Sequence, residues 1–214
     1  MTVAIQSIPR DGVSRETPQS AQLQMLRSHV EAELKSPAVV LVTSAHSGDG
    51  KSLTAHSLAS SFVRTGHRVA LISQSQGDPD GAGPARIDLP EEDGDPAWRD
   101  RLSALVKRLR ADYDFTIVDP GTFLGSDAAM ALGRLVDGIL LAVRVGRAPS
   151  DEDELMVRAI DHCGGRIIGV VATDEEAVAE FGRSQSQPDA AARARARRPL
   201  ERPPYVLPAK SLAH

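Results

Sequence analysis

The stretch "AVVLVTSAHSGDGKSLTAHSLASSFV", residues 38–63, decides the fold. It begins with a run of aliphatic and β-branched residues, which is typical of a strand buried on both faces of a sheet. It ends in a segment typical of a helix, and a short loop joins the two. Residues 45–52 spell A-x-x-x-x-G-K-S, which differs from the phosphate-binding loop pattern by having Ala45 in place of the first glycine.

This loop predicts a phosphate site because each residue type in it has a physical role. Gly48 and Gly50 let backbone N–H groups turn toward an anion at a helix N-terminus. The Lys51 ammonium can reach the β- and γ-phosphates, and the Ser52 hydroxyl can bind Mg²⁺. An ordinary strand-to-helix turn that happens to contain Gly-Lys-Ser is the alternative. The predicted nucleotide-binding residues are Ala45, His46, Ser47, Gly48, Asp49, Gly50, Lys51, Ser52 and Leu53.

A second candidate is Asp119, which ends the apolar run "FTIVD". A carboxylate at the end of a buried strand beside a phosphate loop is where such proteins hold Mg²⁺, often through water. Lys51 and Asp119 are therefore the predicted catalytic residues, and Ser52 and Asp119 the predicted magnesium ligands. A turn- or helix-capping aspartate is the alternative for Asp119.

Four further apolar runs predict strands, and helical patterns lie between them. The runs are "RVALIS", "DFTIVD", "DGILLAVRV" and "GRIIGVVAT". Helices are predicted over residues 98–113, 126–136 and 151–163, and also where Leu23, Leu26, Val30 and Leu34 recur at helical spacing. Buried strands alternating with helices predict an α/β fold, a doubly wound and mostly parallel sheet with helices on both faces.

Composition divides the chain into three parts. Residues 1–18 are predicted to be a flexible lead, residues 19–180 the phosphate-loop domain, and residues 181–214 a basic, proline-containing tail. Residues 77–96 are acidic and rich in Gly and Pro, so they predict a long loop or insertion inside the domain.

Charge and cysteine content limit the classes of function. The net charge of −4 offers no general basic field, so no nucleic-acid partner is expected. The single cysteine, Cys163, excludes an intrachain disulfide and suits a reducing cytoplasm. A metal site at His162 and Cys163 is not expected, because no partner cluster accompanies them. No apolar stretch approaches the roughly 20 residues of a membrane helix. We therefore expect a cytoplasmic protein.

On these residues, the chain resembles the bacterial tyrosine kinases of capsule and exopolysaccharide synthesis, P-loop proteins related to the partition and septum-site ATPases. The resemblance spans about residues 20–173 and rests on "VVLVTSAHSGDGKSLTAHSLASSFVRTGHRVALI", "DYDFTIVDPGTFLGSDAAMAL", "VDGILLAVRVGRAP" and "CGGRIIGVVAT". It implies an ATP·Mg²⁺ site on a cytoplasmic protein, held at the inner face of the membrane by a chain-length or export component. It also implies a homo-oligomer, because family members phosphorylate a tyrosine-rich tail between ring-assembled subunits.

The sequence departs from this family where phosphotransfer would need it most. Ser73 and Ser75 stand where the family has an Asp-x-Asp motif that helps bind Mg²⁺ and accepts the tyrosine proton. A serine hydroxyl cannot act as a base near neutral pH, and it is a weaker metal ligand. The tail has one tyrosine, Tyr205, and Tyr113 is the only other in the chain.

Three other positions differ as well. The Glu-x-x-Arg-x-x-Arg ring contact of the family corresponds to Ala21, Gln24 and Arg27, so only the last residue is kept. His46 stands where the partition ATPases carry a signature lysine, which argues against their dimer switch. Thr173 stands where the family often places an asparagine near the base, so base specificity stays open.

Three functions are consistent with this pattern. The favoured one is an ATP-binding, kinase-like regulator with weak or absent phosphotransfer. The second is an active ATPase or tyrosine autokinase that uses Asp119 or another carboxylate as its base; Asp49 and the acidic insertion are candidates. The third is a nucleotide-independent scaffold with a relic loop, which the intact Lys51 and Ser52 argue against.

Overall fold

The computed structural model describes residues 2–5, 18–73, 83–90, 92 and 95–186. These residues form one sheet of seven strands with helices on both faces, and all of its strand pairs are parallel. The prediction of an α/β, doubly wound parallel sheet is confirmed. In chain order the elements are β1 (Thr2–Ile5), α1 (Pro18–Glu33), β2 (Ala38–Thr43), α2 (Lys51–Arg64), β3 (Val69–Ser73), β4 (Ala85–Arg86), α3 (Trp98–Asp112), β5 (Phe115–Asp119), α4 (Asp127–Gly133), β6 (Gly138–Arg144), α5 (Asp151–His162), β7 (Ile167–Thr173) and α6 (Glu175–Ser186).

The central strand β2 divides the core into two layers. The strand order is β1-β7-β6-β2-β5-β3-β4, and every residue of β2 is buried. Val40 and Val42 pack with the apolar residues of α1 and α2. Val39 and Leu41 point to the other face and pack with residues of α3, α4 and α5. Because both faces are covered, β2 shows a continuous apolar run and no alternation with polar residues.

Parallel pairing brings the carboxyl ends of β2, β5, β6 and β7 to one edge of the sheet. From β2 the chain crosses through α2 to β3 on one side, and from β5 it crosses to β6 on the other side. Ligands of doubly wound sheets bind at such a switch point, outside the carboxyl ends of the strands. The loops after these four strands therefore border the candidate site.

Three elements were not predicted from the sequence. Thr2–Ile5, inside the expected flexible lead 1–18, forms the edge strand β1, which pairs with β7. Ala85–Arg86, inside the acidic insertion, pairs with β3 as the short edge strand β4. Helix α6 continues to Ser186, so it extends past the expected domain limit at residue 180.

The remaining expectations on domain organisation stay predictions. Residues 187–214, which hold most of the expected tail and its Tyr205, lie outside the described residues, as does Ser75. Helix α4 is shorter than the predicted 126–136, ending at Gly133. In the part of the chain that the structure describes, no helix combines the length and the apolar character that crossing a membrane requires.

Candidate functional site

The predicted phosphate loop leaves the carboxyl end of β2 and leads directly into α2. Gly48 has φ +82° and Gly50 has φ +84°, which is the left-handed region that favours glycine. Gly50 is the N-cap of α2 and supplies no side-chain cap. The first N–H groups of α2 have no intrahelical carbonyl to bond. The loop therefore has free amide donors and the positive end of a helix dipole, the two features that attract an anion.

Thr173, at the end of β7, holds the backbone of this loop. Its hydroxyl donates a hydrogen bond to the Asp49 carbonyl oxygen at 2.9 Å, and the residue is fully buried. A Cβ on Gly50 would lie 2.6 Å from Thr173 Cγ2. By resemblance, Thr173 stands where the family often has an asparagine near the base. The structure shows that its hydroxyl is already bonded to the loop backbone.

Lys51 and Ser52 begin α2 with half-buried side chains. Among the residues that the structure describes, neither the Lys51 ammonium nor the Ser52 hydroxyl has a hydrogen-bond or ion-pair partner. Leu53 turns into the core, where it is 6% exposed. Ala45 packs against the core at the start of the loop, while Ser47 and Gly48 are exposed. The cation and the hydroxyl that the motif supplies are thus available to a ligand.

Asp119 lies at the carboxyl end of β5, next to β2, and is 5% exposed. Its neighbour across the ladder is Ser73 of β3, whose hydroxyl donates to Asp119 Oδ2 at 3.4 Å. The chain that follows Asp119 is tied to the phosphate-loop strand. Thr43 donates to the Gly121 carbonyl at 2.9 Å, and the Phe123 amide donates to the Ser44 carbonyl at 3.1 Å. The two predicted motifs therefore meet at the same edge.

His46, the counterpart of the signature lysine, is held by the first turn of α5. Its Nδ1 lies 2.7 Å from a Glu152 carboxylate oxygen, and its Nε2 lies 3.0 Å from Ser150 Oγ. Its side chain is therefore committed to contacts within the chain. Any contribution of His46 to ligand binding would come from its backbone.

Asp49 belongs to a charged network that the sequence did not predict. Its carboxylate is 1% exposed and accepts a hydrogen bond from Arg147 Nη2 at 3.3 Å. Arg147 also donates two hydrogen bonds to Asp153, at 2.7 and 2.9 Å. The Arg147 guanidinium holds the pKa of Asp153 well below its usual range, mainly through these hydrogen bonds. Ser150 adds its N–H and hydroxyl to the same carboxylate, each at 2.9 Å.

No spacing rule could have found this network, because Asp49 and Arg147 are 98 residues apart in the chain. The signal available was an arginine in the loop between a buried strand and an acidic helix start, which is common on protein surfaces. Only the tertiary structure shows that the guanidinium turns toward the phosphate loop.

Arg27, the one residue kept from the ring contact of the resembled family, faces its own chain. Its Nη1 donates to Ser61 Oγ on α2 at 3.4 Å, and its Nε lies 3.6 Å from Glu31. Its side chain is 18% exposed. Ala21 and Gln24, at the two other contact positions, are exposed on α1. Arg27 therefore contributes to packing between α1 and α2.

Protein side chains alone make no complete metal cage here. Within the described ranges, no group of three or more His, Cys, Asp and Glu residues is arranged to hold a metal ion. Magnesium commonly takes one or two protein ligands and completes its shell with water and substrate phosphates. The Ser52 hydroxyl and the buried Asp119 carboxylate fit that smaller requirement.

Known structures of the same fold were found by comparison, while no family model and no curated protein matches the sequence. The kinase domain of the Escherichia coli tyrosine kinase ETK has a TM-score of 0.62 at 18% identity, covering 80% of this chain and 89% of that one. The tyrosine kinase domain of BceF has a TM-score of 0.59 at 18% identity, covering 76% of this chain and 80% of that one.

A third similar structure is cobyrinic acid a,c-diamide synthase from Mycobacterium smegmatis with bound ADP and magnesium. Its TM-score is 0.51 at 15% identity, and the match covers 69% of this chain and 82% of that one. The chain thus has the fold of the ETK and BceF tyrosine kinase domains and of the ADP- and magnesium-bound synthase. The resemblance inferred from its motifs is confirmed at the level of the fold.

Proposed function

We propose that this protein binds ATP·Mg²⁺ at the loop formed by residues 44–52 and acts as a nucleotide-gated regulator with weak or absent phosphotransfer. The observation that carries the proposal is the start of α2. There, Lys51 and Ser52 have no partner among the described residues, and Gly48 and Gly50 both adopt left-handed conformations. A relic loop has no reason to keep a half-buried lysine without a partner among the described residues and two glycines in the left-handed region.

Each residue has a role in this proposal. Lys51 neutralises the β- and γ-phosphates, and the free amides at the N-terminus of α2 bind phosphate oxygens. Ser52 and Asp119 hold Mg²⁺, which would supply charge neutralisation on those phosphates. The structure of the M. smegmatis synthase, with bound ADP and magnesium on the same fold, supports this choice of ligands.

The limit on phosphotransfer follows from Ser73. It lies opposite Asp119 across the β3–β5 ladder, at the place where the resembled family has the first aspartate of its Asp-x-Asp motif. One neutral hydroxyl replaces a carboxylate there, so position 73 supplies no base that could accept a tyrosine proton. Loss of a general base costs about 10²- to 10⁴-fold in rate, so a residual rate would be slow.

The setting of this regulator follows from the resemblance. The ETK and BceF domains are both tyrosine kinase domains. We place the protein in the cytoplasm, at the inner face of the membrane through a chain-length or export component of a polysaccharide system. Homo-oligomer formation is part of the same proposal, although Arg27 would not contribute to it as a ring contact.

Two experiments test the proposal. In the first, the full chain is titrated calorimetrically with ATP and ADP, with and without Mg²⁺. Micromolar binding is expected, and it should be lost in Lys51→Ala and kept in Lys107→Ala, which removes an exposed lysine from α3. Equal binding by the parent and Lys51→Ala would show that the loop is not the site.

The second experiment follows ³²P from γ-labelled ATP in the same samples. No transfer or only slow transfer, and no steady phosphate release, are expected. Label on Tyr205, or phosphate release that disappears in Lys51→Ala, would favour the active autokinase or ATPase instead. Absence of nucleotide binding would leave the scaffold function.

A further inference from the structure

A buried carboxylate lies inside the proposed phosphate loop. Asp49 precedes the N-cap Gly50, and its side chain is 1% exposed. A negative charge at this place opposes the binding of a polyphosphate, because like charges repel strongly where little water separates them. In the proposed function, the charge of Lys51 is used to bind the phosphates. The loop therefore needs a second cation to compensate for Asp49.

Arg147 supplies that cation from outside the loop. It extends from the turn after β6, and its Nη2 donates to Asp49 Oδ2 at 3.3 Å. Two shorter hydrogen bonds to Asp153, at 2.7 and 2.9 Å, fix the plane of the guanidinium. Asp153 is itself held by the N–H and hydroxyl of Ser150. The position of the positive charge is thus set by α5 and does not depend on the ligand.

The backbone of Asp49 has a separate support. Thr173 donates to its carbonyl oxygen at 2.9 Å from the end of β7. The end of β7 and the turn after β6 therefore both act on one loop residue. Thr173 fixes where the backbone runs, and Arg147 acts on the charge of the side chain. Removing the charge of Arg147 should leave the course of the loop intact.

We propose that Arg147 is a positioning residue for nucleotide binding that never touches the nucleotide: it offsets part of the Asp49 charge, although it also pairs with Asp153, so that the loop opposes the interaction of Lys51 with the phosphates less strongly. This inference rests on the proposed function, because it assigns a role within the same site. It makes two statements that a purely structural role would not make. Loss of Arg147 should lower the affinity for each nucleotide in proportion to its negative charge. Removal of the Asp49 charge should restore that affinity.

The test compares four variants of the full chain by calorimetric titration with Mg·ATP and Mg·ADP. Arg147→Met keeps most of the side-chain volume. It should lower the affinity for ATP by about tenfold or more, and the affinity for ADP by less. Asp49→Asn combined with Arg147→Met should recover ATP affinity to within about threefold of the parent. Arg147→Lys should keep most of the affinity, because it keeps the charge. Arg166→Met removes an arginine that pairs with Glu33 at the opposite end of the strands. This control should change the affinity for neither nucleotide.

The outcomes separate this inference from the proposed function. If the parent binds ATP and Arg147→Met binds it equally well, the inference is wrong and the proposed function stands. Equal losses for ATP and ADP, or a double variant as weak as Arg147→Met, would reduce Arg147 to a structural role and also overturn it. Failure of the parent to bind ATP would overturn both.

A single substitution covers the case in which Arg147→Met does not fold. Asp49→Asn in the otherwise unchanged chain keeps Arg147 on Asp153 and removes one negative charge from the loop. It should bind ATP more tightly than the parent and raise the preference for ATP over ADP. Weaker ATP binding by a folded Asp49→Asn protein would contradict the inference.

Discussion

Replacing Gly50 by alanine tests whether Thr173, at the end of β7, packs directly against the loop. The substitution adds one methyl group at a residue with φ +84°. The new Cβ would lie 2.6 Å from Thr173 Cγ2, 2.7 Å from its Oγ1 and 2.9 Å from its Cβ. Thr173 is fully buried and bonded to the loop, so it cannot turn away without losing its hydrogen bond to the Asp49 carbonyl.

Two effects set the size of the destabilisation. The left-handed conformation costs a non-glycine residue roughly 1–2 kcal/mol. Forcing a methyl group into a filled space costs about 1–3 kcal/mol more. Gly48 provides a matched control, because it has φ +82° but open space around its Cβ position. Gly48→Ala should therefore show only the first effect, so the two variants should differ by about 1–3 kcal/mol in the free energy of unfolding.

Urea denaturation of the full chain measures this difference, with an unchanged m value as evidence that only stability has moved. Thr173→Ala removes the two nearest atoms, so a double-mutant cycle with Gly50→Ala should show a favourable coupling of about 0.5–3 kcal/mol. Equal stability of Gly50→Ala and Gly48→Ala, or a coupling near zero, would refute the close approach of Thr173 to the loop.

Two further predictions concern the body of the fold. Burial, and secondarily Arg86, lowers the pKa of His56 to about 4 from its ordinary 6.5, so the unfolded chain binds this proton more readily than the folded one. The free energy of unfolding should therefore rise with pH between about 4 and 6.5 and level off above that range. His56→Gln should remove about 1 kcal/mol of this rise, a value reduced because solvent reaches part of the ring. Urea melts at a series of pH values measure the difference. Phe115 is buried, and its ring stacks on that of Phe62 with the centroids 4.0 Å apart. Phe115→Ala should therefore lower the free energy of unfolding by about 3–5 kcal/mol. Leu155→Ala, at an exposed position on α5, should stay within about 0.5 kcal/mol, and similar losses for both would count against the assigned core.

The main features of the site could be predicted from neighbouring residues. The run over residues 38–43 predicted a strand buried on both faces, since only such a strand needs apolar side chains at every position. Gly48 and Gly50 predicted a loop whose N–H groups can turn toward an anion, and the position of Asp119 followed from the end of its apolar run. In each case the information lies within about ten residues, where local sterics and burial leave few conformations.

The short edge strands and the course of the last helix were beyond that reach. Thr2–Ile5 is only four residues long and is followed by a polar segment, and it becomes a strand because β7 offers a free edge with which to pair. Ala85–Arg86 is only two residues long, too short to show a period, and depends on β3 in the same way. Helix α6 lies in a polar segment that the composition assigned in part to the tail.

By itself, the sequence determined that the protein has a parallel α/β sheet and a glycine-containing loop that leads into a helix, because both follow from local patterns of burial and backbone freedom. The tertiary structure alone decided what surrounds that loop. Thr173 reaches Asp49 across 124 residues and Arg147 reaches it across 98. Such contacts arise only when parallel strands bring their carboxyl ends together, since hydrogen bonds and ion pairs act over a few ångströms of space and leave no periodic trace in the chain.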